Sequence, residues 1–126
     1  MKPLLKLTAL IEVGTGLGLV AAPAVVVRLL LGGELLGAGV PLGRVAGVAL
    51  LSLGVACWFG SFDPQSRAAR GIVSAMAVYN FGVVLILCAV GIQSQPVGVA
   101  LWPAVILHLM MGIWCVACLW RTPRTS

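Results

Sequence analysis

The sequence predicts an all-α fold: a polytopic membrane four-helix bundle with a short interfacial or re-entrant helix after the first span. Three observations carry this. Hydrophobic residues make up 61% of the 126-residue chain and charged residues 9%, where a soluble domain has about 25% charged residues. Mean hydropathy is +1.15. Several apolar runs approach the ~20 residues that cross a ~30 Å hydrocarbon core. Such a chain cannot cover itself in water, and a single domain over residues 1–126 is expected.

The first span, about residues 4–22, reads LLKLTALIEVGTGLGLVAA. It is apolar over a membrane-crossing length yet carries Glu12 near its middle. The start MKPLLK has the look of a signal-peptide n-region, and Ala22-Pro23-Ala24 that of a cleavage site. A carboxylate inside the apolar core argues instead for retention as the first membrane helix. Pro23 ends it, because proline lacks the N–H and its ring obstructs the preceding turn. Ala24 to Leu31, AVVVRLLL, is too short to cross. Joined to the first helix it would make a rod of about 28 residues, or ~42 Å, so it is read as the interfacial or re-entrant helix. Gly32-Gly33 ends it, and GAGVP turns the chain back.

Pro41 is a good first helical position and opens the second span, about 41–59. Gly43 and Gly47 form a small-xxx-small pair, and with Gly54 they mark a face that another helix can approach closely. The alternative is that glycines are simply common in membrane helices. Arg44 stands in the first turn, where the helix dipole disfavours a cation. It calls for an anion, either Glu34 in the preceding loop or a lipid phosphate. Residues 61–70, SFDPQSRAAR, form a polar loop outside the hydrocarbon with an Asp-Pro turn signal. The third span covers about 71–92, QSQPVG turns the chain, and the fourth covers about 99–120 before the tail RTPRTS.

Four crossings put both termini and the 61–70 loop on one side. That side collects Lys2, Lys6, Arg67, Arg70, Arg121 and Arg124, against Arg28 and Arg44 on the other. The bias places both termini in the cytoplasm. Trp58 and Trp120 then fall at the inner boundary and Trp102 at the outer one, with Trp114 deeper. The net charge of +5 reads as topology signal and contact with anionic lipid rather than as a nucleic-acid surface, since no basic face interleaves with aromatics. The lipid bilayer is the expected partner, with a membrane protein or a second copy of the chain as further ones.

Three polar side chains lie deep in the spans: Glu12 in the first, Asn80 in the third and His108 in the fourth. At 1.5 Å per residue from the cytoplasmic ends their depths are roughly 12, 15 and 18 Å, so they could meet inside one bundle. Thr8 and Thr15 share the Glu12 face, and Tyr79 adjoins Asn80. An acid at that depth costs several kcal/mol if ionised and unpaired, so it must be neutral, hydrogen-bonded or turned to a wet cavity. Glu12 is therefore either a proton-binding or ligand-orienting site, or a polar clasp that fixes helix register. A single histidine can form neither a bis-histidine haem site nor a histidine-rich metal site, and no metal or cofactor is expected.

Cys115 and Cys118 form a C-x-x-C pair, with Cys57 at a similar depth. Redox pairs of this kind gain thiolate character from a helix N-terminus. This one lies near the electronegative C-terminal end and faces a reducing compartment, so it reads as buried inert thiols, with a redox pair as the alternative. Cys88 has no evident partner. Phosphate-cradling loops, nucleophile elbows, H-E-x-x-H and paired carboxylate spacings do not occur, and no catalytic residue is assigned.

KLTALIEVGTGLGLVAAPAVVVRLLLG, LGRVAGVALLSLGVACW, YNFG and LWPAVILH together resemble a group of small bacterial four-helix membrane proteins, the DoxX-like superfamily. The resemblance spans most of the chain and rests on packing and turn residues. It implies the four-helix fold and a bacterial inner membrane. Because some DoxX-like members are associated with quinone-linked sulfur oxidation or membrane redox complexes, it also implies a redox subunit as one candidate role. No catalytic motif is carried over. Three function classes follow: a non-enzymatic accessory subunit or small hydrophobic-ligand-binding protein, a proton-coupled carrier using Glu12 and His108, and a redox subunit.

Overall fold

Each expected helix forms in the computed structural model, which describes residues 1–93 and 96–121. Ser94 and Gln95 of the expected QSQPVG turn, and the tail 122–126 with Arg124, lie outside the described residues. The helices are α1 (Lys2–Ala21), α2 (Pro23–Leu31), α3 (Gly39–Gly60), α4 (Arg67–Gln93) and α5 (Leu101–Arg121). No strand occurs among the described residues. The helices α1, α3, α4 and α5 are long and apolar enough to cross a membrane, as expected of a multi-pass membrane protein. Large apolar side chains such as Leu10, Val78, Leu85 and Ile92 point outward all round the bundle. Ser52 and Ser74 stay satisfied there by donating to the carbonyls of Val48 and Arg70, four residues back.

The break between α1 and α2 falls at Ala22, whose backbone (φ −141°, ψ 64°) leaves the helical region before Pro23 starts α2. Gly32 closes α2 in the left-handed conformation, φ 74°, which glycine adopts without steric cost. The far end of α2 is tied to the start of α5, where the Ala100 N–H donates to the Leu29 carbonyl at 2.9 Å. That bond, with the turn from Leu101 N to Gly98 O at 3.2 Å, delays α5 to Leu101 instead of 99.

At the other polar connection the helix begins earlier than expected. Residues 61–70 read as loop, but Ser66 caps α4: its hydroxyl accepts from the Ala69 N–H at 3.1 Å and donates to the Asp63 carbonyl at 2.9 Å. Arg67 and Arg70 therefore belong to the first turn of a helix.

The four long helices run up and down alternately and pair as α1 with α3 and α4 with α5. Backbones meet in the first pair. A Cβ on Gly47 would stand 2.8 Å from the Gly16 carbonyl oxygen, and one on Gly54 would stand 3.1 Å from that of Ala9. Where α1 begins and α5 finishes, the two pairs close on a common core of Leu4, Leu5, Cys57, Val73, Met76, Met111 and Cys115. At the opposite end Leu87, Leu101 and Val105 join only α4 to α5. There the pairs part, and α2 lies across the opening.

Candidate functional site

Between the parted helix pairs lies a cavity of about 340 Å³, walled by residues of all five helices. Ile11 and Leu19 of α1, Val26, Leu29 and Leu30 of α2, Leu50 of α3, Val83 and Leu87 of α4, and Ala104 and Leu107 of α5 make it apolar. Glu12, Thr15, Tyr79 and His108 also line it. Below them a second space of about 10 Å³ is bounded by Thr8, Glu12, Asn80 and His108 together with Ile11, Leu107 and Met111. This is close to the ~10–15 Å³ that accommodates one water.

The side chains expected at mid-depth come together, with one direct bond among them. Asn80 is buried at 2% exposure. Its Nδ2 donates to the Met76 carbonyl at 2.7 Å, and its Oδ1 lies 2.8 Å from His108 Nδ1. A backbone carbonyl can only accept, so the amide nitrogen must face Met76 and the amide oxygen must face the imidazole. His108 Nδ1 therefore donates, and the neutral ring keeps Nε2 as an acceptor. Tyr79 stacks edge-on against this ring, centroids 5.7 Å apart at 76°, which further fixes its plane.

Glu12 is placed differently. It is 3% exposed and makes no hydrogen bond among the described residues. No fully enclosed side-chain oxygen or nitrogen lacks a partner among those residues. The Glu12 oxygens must therefore reach open space, and the spaces they border are the cavity and the chamber below it. The carboxyl faces Asn80 and His108 across that chamber instead of bonding them directly. Thr15 opens to the cavity, whereas Thr8, at 2% exposure, borders only the chamber.

The remaining candidates stand apart. Gly47 and Gly54 face α1, and Gly43 faces Pro23, so the close approach on this face is made within the chain. Glu34 and Arg44 are both exposed, and no ion pair joins them among the described residues. Cys115 is sealed in the core beside Cys57, each at 0% exposure, while Cys118 and Cys88 are half-buried. No three His, Cys, Asp or Glu side chains gather as metal ligands among the described residues. The aliphatic wall contributed by α2 went unnoticed in the sequence, because a nine-residue apolar segment gives no sign of which neighbours it roofs. Comparison with models of known families, with curated proteins and with solved structures returns no match to this chain.

Proposed function

We propose that this chain is a non-enzymatic membrane protein that takes a small hydrophobic ligand into the cavity between its helix pairs. The observation that carries the reading is the cavity itself. Its volume of about 340 Å³ falls in the ~300–1,000 Å³ range of small-molecule sites, which are typically apolar with a few convergent polar groups. Here Glu12, Thr15, Tyr79 and His108 are the polar groups, and all of them lie in the wall. The rival role, an accessory subunit recruited through its glycine face, is less favoured because α1 already occupies Gly47 and Gly54. Lysine and arginine placement supports both termini in the cytoplasm, and the bacterial inner membrane is what the DoxX-like resemblance implies.

Ala104 lines the cavity, and Ala104→Trp narrows it. Protein reconstituted in phosphatidylcholine nanodiscs should bind the neutral fluorescent probe N-phenyl-1-naphthylamine. The Trp variant should bind it at least about tenfold more weakly, the loss of ~1.4 kcal/mol of contact. Equal binding by both proteins overturns the reading. A second reading, proton-coupled carriage, is favoured by the Glu12 carboxyl that borders the cavity without a hydrogen bond. Ligand flux in liposomes that follows an imposed pH gradient, and stops in Glu12→Gln, is its test.

A further inference from the structure

We infer that the ligand of this cavity is a lipophilic amine, held as its ammonium ion by Glu12. The inference rests on the cavity being a ligand site and asks what head group its polar wall selects. Among the described residues Glu12 is the one carboxylic acid of that wall, and neither lysine nor arginine lines the cavity. An ionised carboxylate in such a place needs a counter-charge, and the described residues supply none there. An anion would find no counter-charge in that wall and would be repelled by Glu12 once it ionises.

Hydrogen-bonding capacity points the same way. His108 Nδ1 is committed to Asn80, so the neutral ring can offer the cavity only an acceptor at Nε2. Ionised Glu12 is acceptor-only, and the hydroxyls of Thr15 and Tyr79 can both accept. A wall of acceptors around one negative charge matches a group with several N–H donors and one positive charge. The Tyr79 ring adds an aromatic face of the kind that attracts ammonium groups. The apolar remainder of the ligand lies against Leu19, Leu50, Val83 and Leu87.

Charge stays balanced through the exchange. Starting from the neutral carboxyl, entry of the ammonium ion breaks the Glu12 O–H bond and its proton leaves to water. One positive charge enters as one departs. Among the described residues the titratable groups near enough to Glu12 to interact with it are Cys57 from α3, Tyr79 from α4 and His108 from α5. The cavity wall contributed by α2 holds none. Imidazolium formation at His108 would also weaken amine binding in acid, so the test separates that contribution.

Decylamine, decan-1-ol and decanoate are compared as competitors of N-phenyl-1-naphthylamine in phosphatidylcholine nanodiscs, with the Ala104→Trp protein as the background for partition into lipid. Decylamine should displace the probe at about one-tenth the concentration of decanol, as a hydrogen bond to a charged group implies, and decanoate should be the weakest. Decylamine affinity should rise with pH by up to about tenfold per unit while empty-site Glu12 is protonated. His108→Gln should keep this slope, whereas Glu12→Gln should lose it and bring the amine-to-alcohol ratio to about one. Equal displacement by amine and alcohol, or an undiminished preference in Glu12→Gln, overturns the amine assignment while leaving the cavity as a site. Should Glu12→Gln not fold, the ratio and slope of the unaltered protein decide. If neither probe nor decylamine distinguishes the Ala104→Trp protein, the cavity reading fails and the amine assignment with it.

Discussion

Replacing Gly47 by alanine should destabilise the bundle even though alanine is the better helix former. The new Cβ would lie 2.8 Å from the Gly16 carbonyl oxygen, 2.9 Å from Leu19 Cβ and 2.9 Å from Val20 Cγ2. Ordinary contact begins at about 3.4 Å, so α1 and α3 must separate by roughly half an ångström, and one obstacle is backbone that no rotamer change can relieve. Overpacking of this kind costs ~1–3 kcal/mol. Glycine-to-alanine exchange in a helix returns ~0.5–1 kcal/mol, which leaves a net loss of up to about 2.5 kcal/mol, centred at about 1 kcal/mol. Gly82 of α4 is the control, because a Cβ there meets nothing within 4 Å. Gly82→Ala should be neutral or slightly stabilising. Reversible unfolding in mixed micelles by titrated sodium dodecyl sulfate, followed by tryptophan fluorescence, compares the two. If Gly47→Ala unfolds at the same detergent fraction as Gly82→Ala, the backbone-to-backbone packing of α1 on α3 is wrong.

Other expectations follow from single contacts. Asn80→Leu removes the amide that fixes the imidazole; ¹⁵N NMR of His108 should show an Nδ1–H tautomer in the parent protein and a mixture in the variant, and stability should fall by ~0.6–2 kcal/mol. Ser66→Ala deletes the cap of α4 and should cost about 1 kcal/mol in the same unfolding assay, with hydrogen exchange rising at Ala69. Thiols introduced at Gly33 and Ser66, on a cysteine-free background, should label from opposite sides of a vesicle, Ser66 from the cytoplasmic face; labelling from one side only contradicts four alternating crossings. Glu12→Leu should bind N-phenyl-1-naphthylamine without pH dependence, read by equilibrium titration between pH 5 and 8.

Much of the fold was legible because a bilayer leaves few options. Apolar runs of spanning length must be helices, and Pro23, Gly32 and Pro41 punctuate them where a backbone N–H or a negative φ is unavailable or unneeded. The start of α4 was less legible: the polarity of SFDPQSRAAR marks exposure to water, which a capped first turn satisfies as well as a loop does, and Ser66 decides between them through bonds that depend on geometry. Within the site, depth along each helix identified Glu12, Asn80 and His108 as neighbours, since residue rise converts directly into height. Which of them bond was not legible, because that depends on rotation about helix axes and on ångström-scale spacing between pairs. The cavity was hidden for a related reason. It exists because α1 and α3 pack at glycine distance while Leu87, Leu101 and Val105 hold α4 only to α5, and neither pattern announces a gap by itself.

Photolabelling locates the ligand site most directly. A neutral decane carrying a diazirine, added to the reconstituted protein and activated by light, inserts into whatever side chains surround it, and the adducts are mapped by mass spectrometry of peptides. The cavity account predicts saturable labelling at Leu50, Val83, Leu87 and Ala104, competed by unlabelled N-phenyl-1-naphthylamine and weakened in a protein whose cavity is narrowed by Ala104→Trp. Labelling confined to outward residues such as Leu10, Val55 and Phe59, unaffected by competitor, would contradict it.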